Sequence, residues 1–399
     1  MNSYAKNSKK EKNTRIPVTV LTGYLGSGKT TMLNYILTQN HGYKIAVVEN
    51  EFGEVGIDDD LVKQKVSSQD QLIEMKNGCI CCTVRGDLIQ ILGELIKKKD
   101  QFDYVIIETT GLADPAPVAQ TFFVDEKLAK DYYLDAIITL VDCKHFEQHL
   151  DEQKGEGVEN EANEQIAFAD KVILNKIDLV EKDYIEHLKK RIKAINGNVE
   201  IILSEQSVVN LEKILKISAF DLKTVLTLEP DFLENQEHQH DKTISSVGMM
   251  FDGPVNKFKL DMLLRKYVGE KGNDLYRYKG VLNIKGSDNR YIFQGIHMLF
   301  SSTPAVPWGK SEKRTNKLCF IGKNLNREEI EKDVKDCLDA PDLRFKIGQD
   351  VYCNCDGWKK GKIIKTWDEC NAYRVRLYED NVEVWAPVDW DMFIRENKP

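Results

Sequence analysis

The sequence predicts an α/β protein with a mostly parallel sheet, followed by a small α+β domain and a small β-barrel. Three observations predict it. From Ile16 to Leu203, nearly continuous apolar runs alternate with helical stretches, the pattern of parallel strands covered on both faces. Between the first apolar run and the first helical stretch lies a Gly-rich turn, Gly23–Thr30, where a strand-loop-helix unit exposes it. After Ala340 and Pro341, short alternating strands crowd together with turn residues between them, as in a small barrel.

The bulk numbers agree. The chain has 399 residues, 42% of them hydrophobic and 30% charged, enough for two or three folded domains. A formal charge of -8 argues against nonspecific nucleic-acid binding as the main task. Residues 1–14 are polar and basic with no apolar centre, so they read as a solvated tail and no signal peptide is expected. No apolar stretch approaches the ~20 residues of a membrane span. Nine cysteines, an odd and scattered set, fit a reducing compartment. The expectation is a cytoplasmic protein without membrane or direct nucleic-acid partners.

In chain order, the first domain occupies residues 15–229. Its strands are expected at Val18–Leu21, Ile45–Val48, Tyr104–Ile107, Ala136–Val141, Val172–Asn175 and Val199–Leu203. Residues 230–243 are polar and acidic, include His238 and His240, and read as a linker. Residues 244–338 mix candidate strands (Leu275–Ile284, Arg290–Phe300, Lys317–Ile321) with helices (Lys257–Tyr267, Arg327–Leu338), an α+β set. Residues 345–396, with strands around Val351, Gly361–Ile364, Tyr373–Leu377 and Val382–Trp385, resemble SH3-like and Tudor-like barrels. Trp358, Trp385 and Trp390 either form an aromatic cage for a methylated lysine or fill the small core. Cys353 and Cys355 read as incidental.

The Gly-rich turn matches a phosphate-binding loop. Gly23, Tyr24, Leu25, Gly26, Ser27 and Gly28 form the loop, and Lys29, Thr30 and Thr31 open the helix. Backbone N–H groups at such a helix start cradle phosphates, the lysine reaches the β and γ phosphates, and the threonine ligates Mg²⁺. Asn175-Lys176-Ile177-Asp178 ends a later strand. An Asp carboxylate there accepts from guanine N1 and its 2-amino group, a pattern adenine lacks, so GTP is the expected nucleotide. Glu108, at a strand end three residues before Gly111, stands where such enzymes hold Mg²⁺ and sense the γ-phosphate. Leu112 follows where a water-positioning Gln is familiar, so unassisted hydrolysis should be slow. Lys29, Thr30 and Glu108 are the expected catalytic set.

Asn77–Cys82 reads Asn-Gly-Cys-Ile-Cys-Cys, three cysteines within four positions. Neighbouring cysteines rarely meet the geometry of a disulfide. Redox chemistry, metal capture and burial all remain open from these residues alone.

Together these pieces resemble the CobW-type GTPases, metal-trafficking relatives of the urease and hydrogenase nickel-insertion GTPases, and among them the eukaryotic zinc-regulated GTPase metalloprotein activators. The resemblance rests on Gly23–Thr31, Glu49–Asp58, Cys79–Cys82 with Thr83–Asp87, Glu108–Pro115 and Asn175–Asp178, and spans roughly residues 16–335. It implies a P-loop GTPase domain followed by a CobW C-terminal α+β domain. It also implies a metallochaperone that uses GTP, Mg²⁺ and Zn²⁺ and hands zinc to a client metalloprotein, gated by hydrolysis.

Zinc at Cys79, Cys81 and Cys82 is implied with it. Thiolates are soft donors suited to zinc, and three leave its tetrahedral shell one position short. Gly78 permits the loop that adjacent Cys81 and Cys82 need, and a helix N-terminus with Arg85 favours thiolates. Glu51 or Glu54, in an expected switch segment, is a candidate fourth ligand, and His238 with His240 a loose second site. The alternatives are cobalt or nickel delivery, a nucleotide-binding scaffold with little turnover, and a thiol redox sensor. Activators of this type dock a methionine aminopeptidase through an N-terminal Pro-x-Leu-Val-like segment, which Met1–Arg15 lacks. The barrel is an addition to the family pattern, with no ligand implied.

Overall fold

The computed structural model describes residues 15–49, 84–152, 154, 160–219, 244–272, 274–339 and 342–398. Cys79, Cys81, Cys82, Glu51, Glu54, His238 and His240 lie outside the described residues, as do residues 50–58 of the expected switch segment.

The six apolar runs form the expected strands: β1 (Ile16–Gly23), β2 (Ile45–Glu49), β3 (Tyr104–Glu108), β4 (Tyr132–Asp142), β5 (Lys171–Asn175) and β6 (Glu200–Leu203). They make one sheet in the order β2-β3-β1-β4-β5-β6. β1 runs parallel to both of its neighbours, β2 is parallel to β3, and β5 is parallel to β4. Val18, Val20, Ile45, Val105, Ile107, Ile137 and Val172 are fully buried, so these strands carry no polar alternation. β1 sits where the strand order switches direction. Its carboxyl end therefore opens the crevice in which sheets of this kind bind ligands.

The described residues form two compact units. The first takes them from 1–149, 170–180 and 201–218, the second from 150–169, 181–200 and 219–399. In the first, α1 (Lys29–Thr38) follows β1, α2 (Val84–Ile96) packs on α3 (Ala116–Val124), and α3 and α4 (Leu128–Asp131) pack on β4. The short α5 (Phe146–Leu150) follows β4.

The second unit draws in two helices that alternate with the first sheet's strands along the chain, α6 (Glu161–Phe168) and α7 (Lys182–Ile195). Its sheet runs β10-β9-β8-β11-β7, built from β7 (Ile244–Asp252), β8 (Leu275–Asn283), β9 (Asn289–Ile296), β10 (Leu299–Pro307) and β11 (Thr315–Lys323). α6 packs on β8 and α7 on β7. Phe168 meets Tyr276 at 5.5 Å, and the buried Arg277 donates to the Phe168 carbonyl. α8 (Lys257–Lys271) and α9 (Arg327–Lys335) close a core around Leu260, Leu264, Tyr267, Phe293, Phe320 and Ile330. Arg290–Phe300, expected as one strand, is a hairpin. Leu299 pairs with Ile296 around His297, whose φ is 48°. No Gly, Asn or Asp marks that turn, so the apolar run reads straight through it.

The last strands, β12 (Asp350–Asn354), β13 (Trp358–Asp368), β14 (Asn371–Leu377), β15 (Glu383–Ala386) and β16 (Ile394–Arg395), form an antiparallel sheet in the order β15-β14-β13-β12-β16. Val351, Cys353, Ile363, Tyr373, Val375 and Leu377 fill its core. The three tryptophans lie outside that core. Arg395 lies over Trp358, Arg374 lies over Trp385, and Trp390 meets Phe258 edge-on. This barrel is seated on the α+β domain. Phe258 touches Phe393 at 5.2 Å, Asn256 donates to the Pro387 carbonyl at 3.4 Å, and Lys285 lies 5.1 Å from the Trp367 ring. Among the described residues no helix is long and apolar enough to cross a membrane.

Candidate functional site

β1 ends at Gly23 because nothing larger fits: a Cβ there would lie 2.3 Å from the Leu140 carbonyl oxygen of β4. Gly28 has φ +103°, and its Cβ would fall 2.5 Å from Asn175 Nδ2, so conformation and space both demand glycine. It caps α1 with no side-chain hydrogen bond, and no acidic residue occupies the first turn. The free N–H groups and the helix dipole therefore favour an anion at this point.

Lys29 folds back over the loop, its Nζ donating to the carbonyls of Gly23 (2.8 Å) and Tyr24 (3.3 Å). Burial lowers its pKa, against the opposing charge of Glu108. Thr30 Oγ1 donates to Glu108 Oε1 at 3.2 Å. These two hard oxygen donors, side by side at the loop's edge, fit an Mg²⁺ ion. Leu25 lies across Gly111, where a Cβ would meet its backbone N at 2.6 Å. The Thr31 side chain is exposed. The Tyr24 ring stacks on His149 with centroids 3.8 Å apart.

The second motif reaches the same loop. Asn175, buried at the end of β5, donates from Nδ2 to the Ser27 carbonyl (3.0 Å) and to Ser207 Oγ (3.0 Å). Its Oδ1 accepts from the Ser207 N–H at 2.9 Å, and Ser207 Oγ donates to the Gly28 carbonyl at 3.2 Å. Lys176 donates from Nζ to the Gly26 carbonyl and to Asp142 Oδ2, both at 2.7 Å. Burial pushes the Asp142 carboxyl up, but Lys176, His145 and the Lys144 N–H outweigh it and hold its pKa below the usual value. Asp178 stands exposed in the turn Ile177–Leu179.

Every expected nucleotide residue among the described ones thus lies in the first unit, from Gly23 to Asp178. Two participants escaped the motif reading. Asp142 closes an apolar run like any strand-end charge. Ser207, with φ 62°, sits in a short loop after β6. A carboxylate ending the strand next to β1 was the one available hint.

The expected zinc residues, Cys79, Cys81, Cys82, Glu51, His238 and His240, lie outside the described residues. Among the described residues no cluster of His, Cys, Asp and Glu is arranged to hold a metal ion. Burial pushes the thiols of Cys143, Cys319, Cys337 and Cys353 up to about 12. They stay protonated at neutral pH, unlike a metal-binding thiolate.

Residues 17–203 match the family model for the CobW/HypB/UreG nucleotide-binding domain, and residues 244–338 match that for the cobalamin synthesis protein cobW C-terminal domain. The chain is 38% identical over 320 residues to the zinc chaperone YjiA of Escherichia coli strain K12, covering 79% of this chain and 96% of that protein. It is 32% identical to the zinc-regulated GTPase metalloprotein activator 1 of Dictyostelium discoideum, covering 85% of this chain and 82% of that one. The crystal structure of Zn(II)-bound YjiA GTPase superposes with a TM-score of 0.64 at 33% identity, covering 81% of this chain and 99% of that chain.

Proposed function

The chain belongs to the CobW/HypB/UreG family, and from that premise we propose that it is a GTP-hydrolysing zinc metallochaperone. The observation that carries the nucleotide half is the direct stitching of the base-side turn to the phosphate loop through Asn175, Lys176 and Ser207. A nucleotide spanning the two is read at both ends by one connected structure.

In this reading the N–H groups from Gly26 to Thr30 hold the phosphates, and Lys29 turns its ammonium from the loop carbonyls onto the β and γ oxygens. Thr30 and Glu108 hold Mg²⁺, which neutralises charge on the phosphates. Gly111 meets the γ-phosphate, and Asp178 accepts from guanine. Leu112 offers no polar group to order a water, which keeps unassisted hydrolysis slow.

Zinc is cargo. Cys79, Cys81 and Cys82 bind it as thiolates, Glu51 is the candidate fourth ligand, and a ligand of the client metalloprotein enters at that position during transfer. His238 and His240 give a weaker holding site. The test is GTP turnover with Mg²⁺, with and without zinc, in the unaltered protein and with all three cysteines changed to serine. Slow turnover that rises with zinc only when the cysteines are present is expected. No turnover under any metal condition would make the protein a nucleotide-binding scaffold, and tighter binding of cobalt or nickel in direct competition would change the cargo.

A further inference from the structure

We propose that Asp142 is a positioning residue for guanine-nucleotide recognition: it holds Lys176 in the left-handed backbone turn that aims Asp178. The inference deepens the GTP reading of the site and rests on it.

The backbone supplies the first half. Lys176 has φ 61° and ψ 37°, a left-handed conformation uncommon and mildly costly for a residue with a Cβ. Asp178, the exposed carboxylate of the same turn, comes two residues later. The direction it faces depends on that bend.

The side chains supply the second. Lys176 Nζ is held at two points, the Gly26 carbonyl and Asp142 Oδ2. Gly26 is neutral and belongs to a loop. Asp142 is charged, 7% exposed, and ends β4 directly opposite Asn175 in the β4–β5 pair. Its carboxylate is fixed from elsewhere, by the Lys144 N–H at 2.9 Å and His145 Nδ1 at 3.1 Å. The Cys143 N–H continues the pairing by donating to the Asn175 carbonyl at 3.0 Å. Asp142 is thus an anchor already in place when Lys176 reaches it. An ordinary ion pair has no need of a left-handed lysine, whereas an aiming device does.

The effect should fall on base recognition and spare the hydrolytic groups Thr30 and Glu108. Asp142→Asn keeps the shape and removes the charge. GDP affinity should fall roughly tenfold or more, the size expected for losing a hydrogen bond to a charged group. The preference for GDP over ADP should shrink with it, while kcat at saturating GTP stays within about twofold. In a Lys176→Gly background the left-handed turn no longer needs holding, so Asp142→Asn should there cost less than about twofold in GDP affinity.

Unchanged GDP affinity in Asp142→Asn, or the same loss in both backgrounds, overturns the proposal. So does a fall in kcat at unchanged affinity. If Asp142→Asn does not fold, His145→Ala removes the exposed partner that orients the carboxylate. It should weaken GDP binding severalfold at unchanged kcat, and unchanged binding there overturns the proposal too. Should the unaltered protein bind GDP no better than ADP, the GTP reading itself fails, whatever the variants do.

Discussion

Asp178 is exposed and is the group expected to meet the base, so its replacement should act on ligand choice and leave the fold alone. Asp178→Asn presents a donor where guanine needs an acceptor, and preference should move toward xanthosine nucleotides. The unliganded protein should lose no more than about 0.5 kcal/mol. Titrating GDP and XDP into both proteins checks this, and equal affinity for ATP and GTP in the unaltered protein would refute the assignment. Gly28 is the opposite case. Its φ of +103° and a Cβ placed 2.5 Å from Asn175 Nδ2 leave no room for alanine. Gly28→Ala should cost ~1–3 kcal/mol in urea denaturation and abolish measurable GTP binding, because the loop and the base-side turn share that point of contact.

Elements show where the pattern of residues is legible and where it is not. The loop Gly23–Thr30 and the turn Asn175–Asp178 could be read directly, since each works through residues adjacent in the chain. Asp142 and Ser207 could not, because they act on Lys176 and Gly28 across long separations and no neighbour in sequence reveals the meeting. The bulge in β4 is a third such feature. Val18 pairs with Leu134 and Thr19 with Ala136, which leaves Asp135 as the extra residue. Fully buried, it accepts from Tyr104 Oη (2.6 Å), the Ile217 N–H (3.0 Å) and the Ser218 N–H (2.7 Å). Lys216 and Ser218 have φ of 52° and 51°, so successive N–H groups converge into a nest that grips this carboxylate. Burial raises the Asp135 pKa, and these bonds pull it partly back. Asp135→Ala would remove the acceptor these three donors share and should cost ~2–4 kcal/mol in urea denaturation, with Asp135→Asn milder because one oxygen still accepts. Full stability in Asp135→Ala would mean the nest carries no weight.

At the scale of the whole molecule, every strong chemical motif lies at or before Asp178, which argues that residues 345–399 are dispensable for nucleotide chemistry. They are not dispensable for packing, since the barrel covers Phe258, Lys285 and Gly286 of the α+β domain. Deleting residues 345–399 should lower the melting temperature of the second unit by roughly 5 °C or more while GTP affinity stays within about twofold. Lost GTP binding in the folded, shortened protein would make the barrel part of the nucleotide machinery. Metal and nucleotide should in turn be coupled, because Cys79, Cys81 and Cys82 lie in the segment that joins β2 to β3, and β3 ends in Glu108. A nucleotide that reorders this connection must change the metal's affinity, and the metal must change the nucleotide's by the same factor. Zinc affinity, measured against a competing chelator with GDP bound and again with a non-hydrolysable GTP analogue bound, reads this coupling. Tighter zinc binding in the GTP-like state, by ~5- to 150-fold, is expected. Equal affinity in the two states would mean that hydrolysis does not gate zinc release.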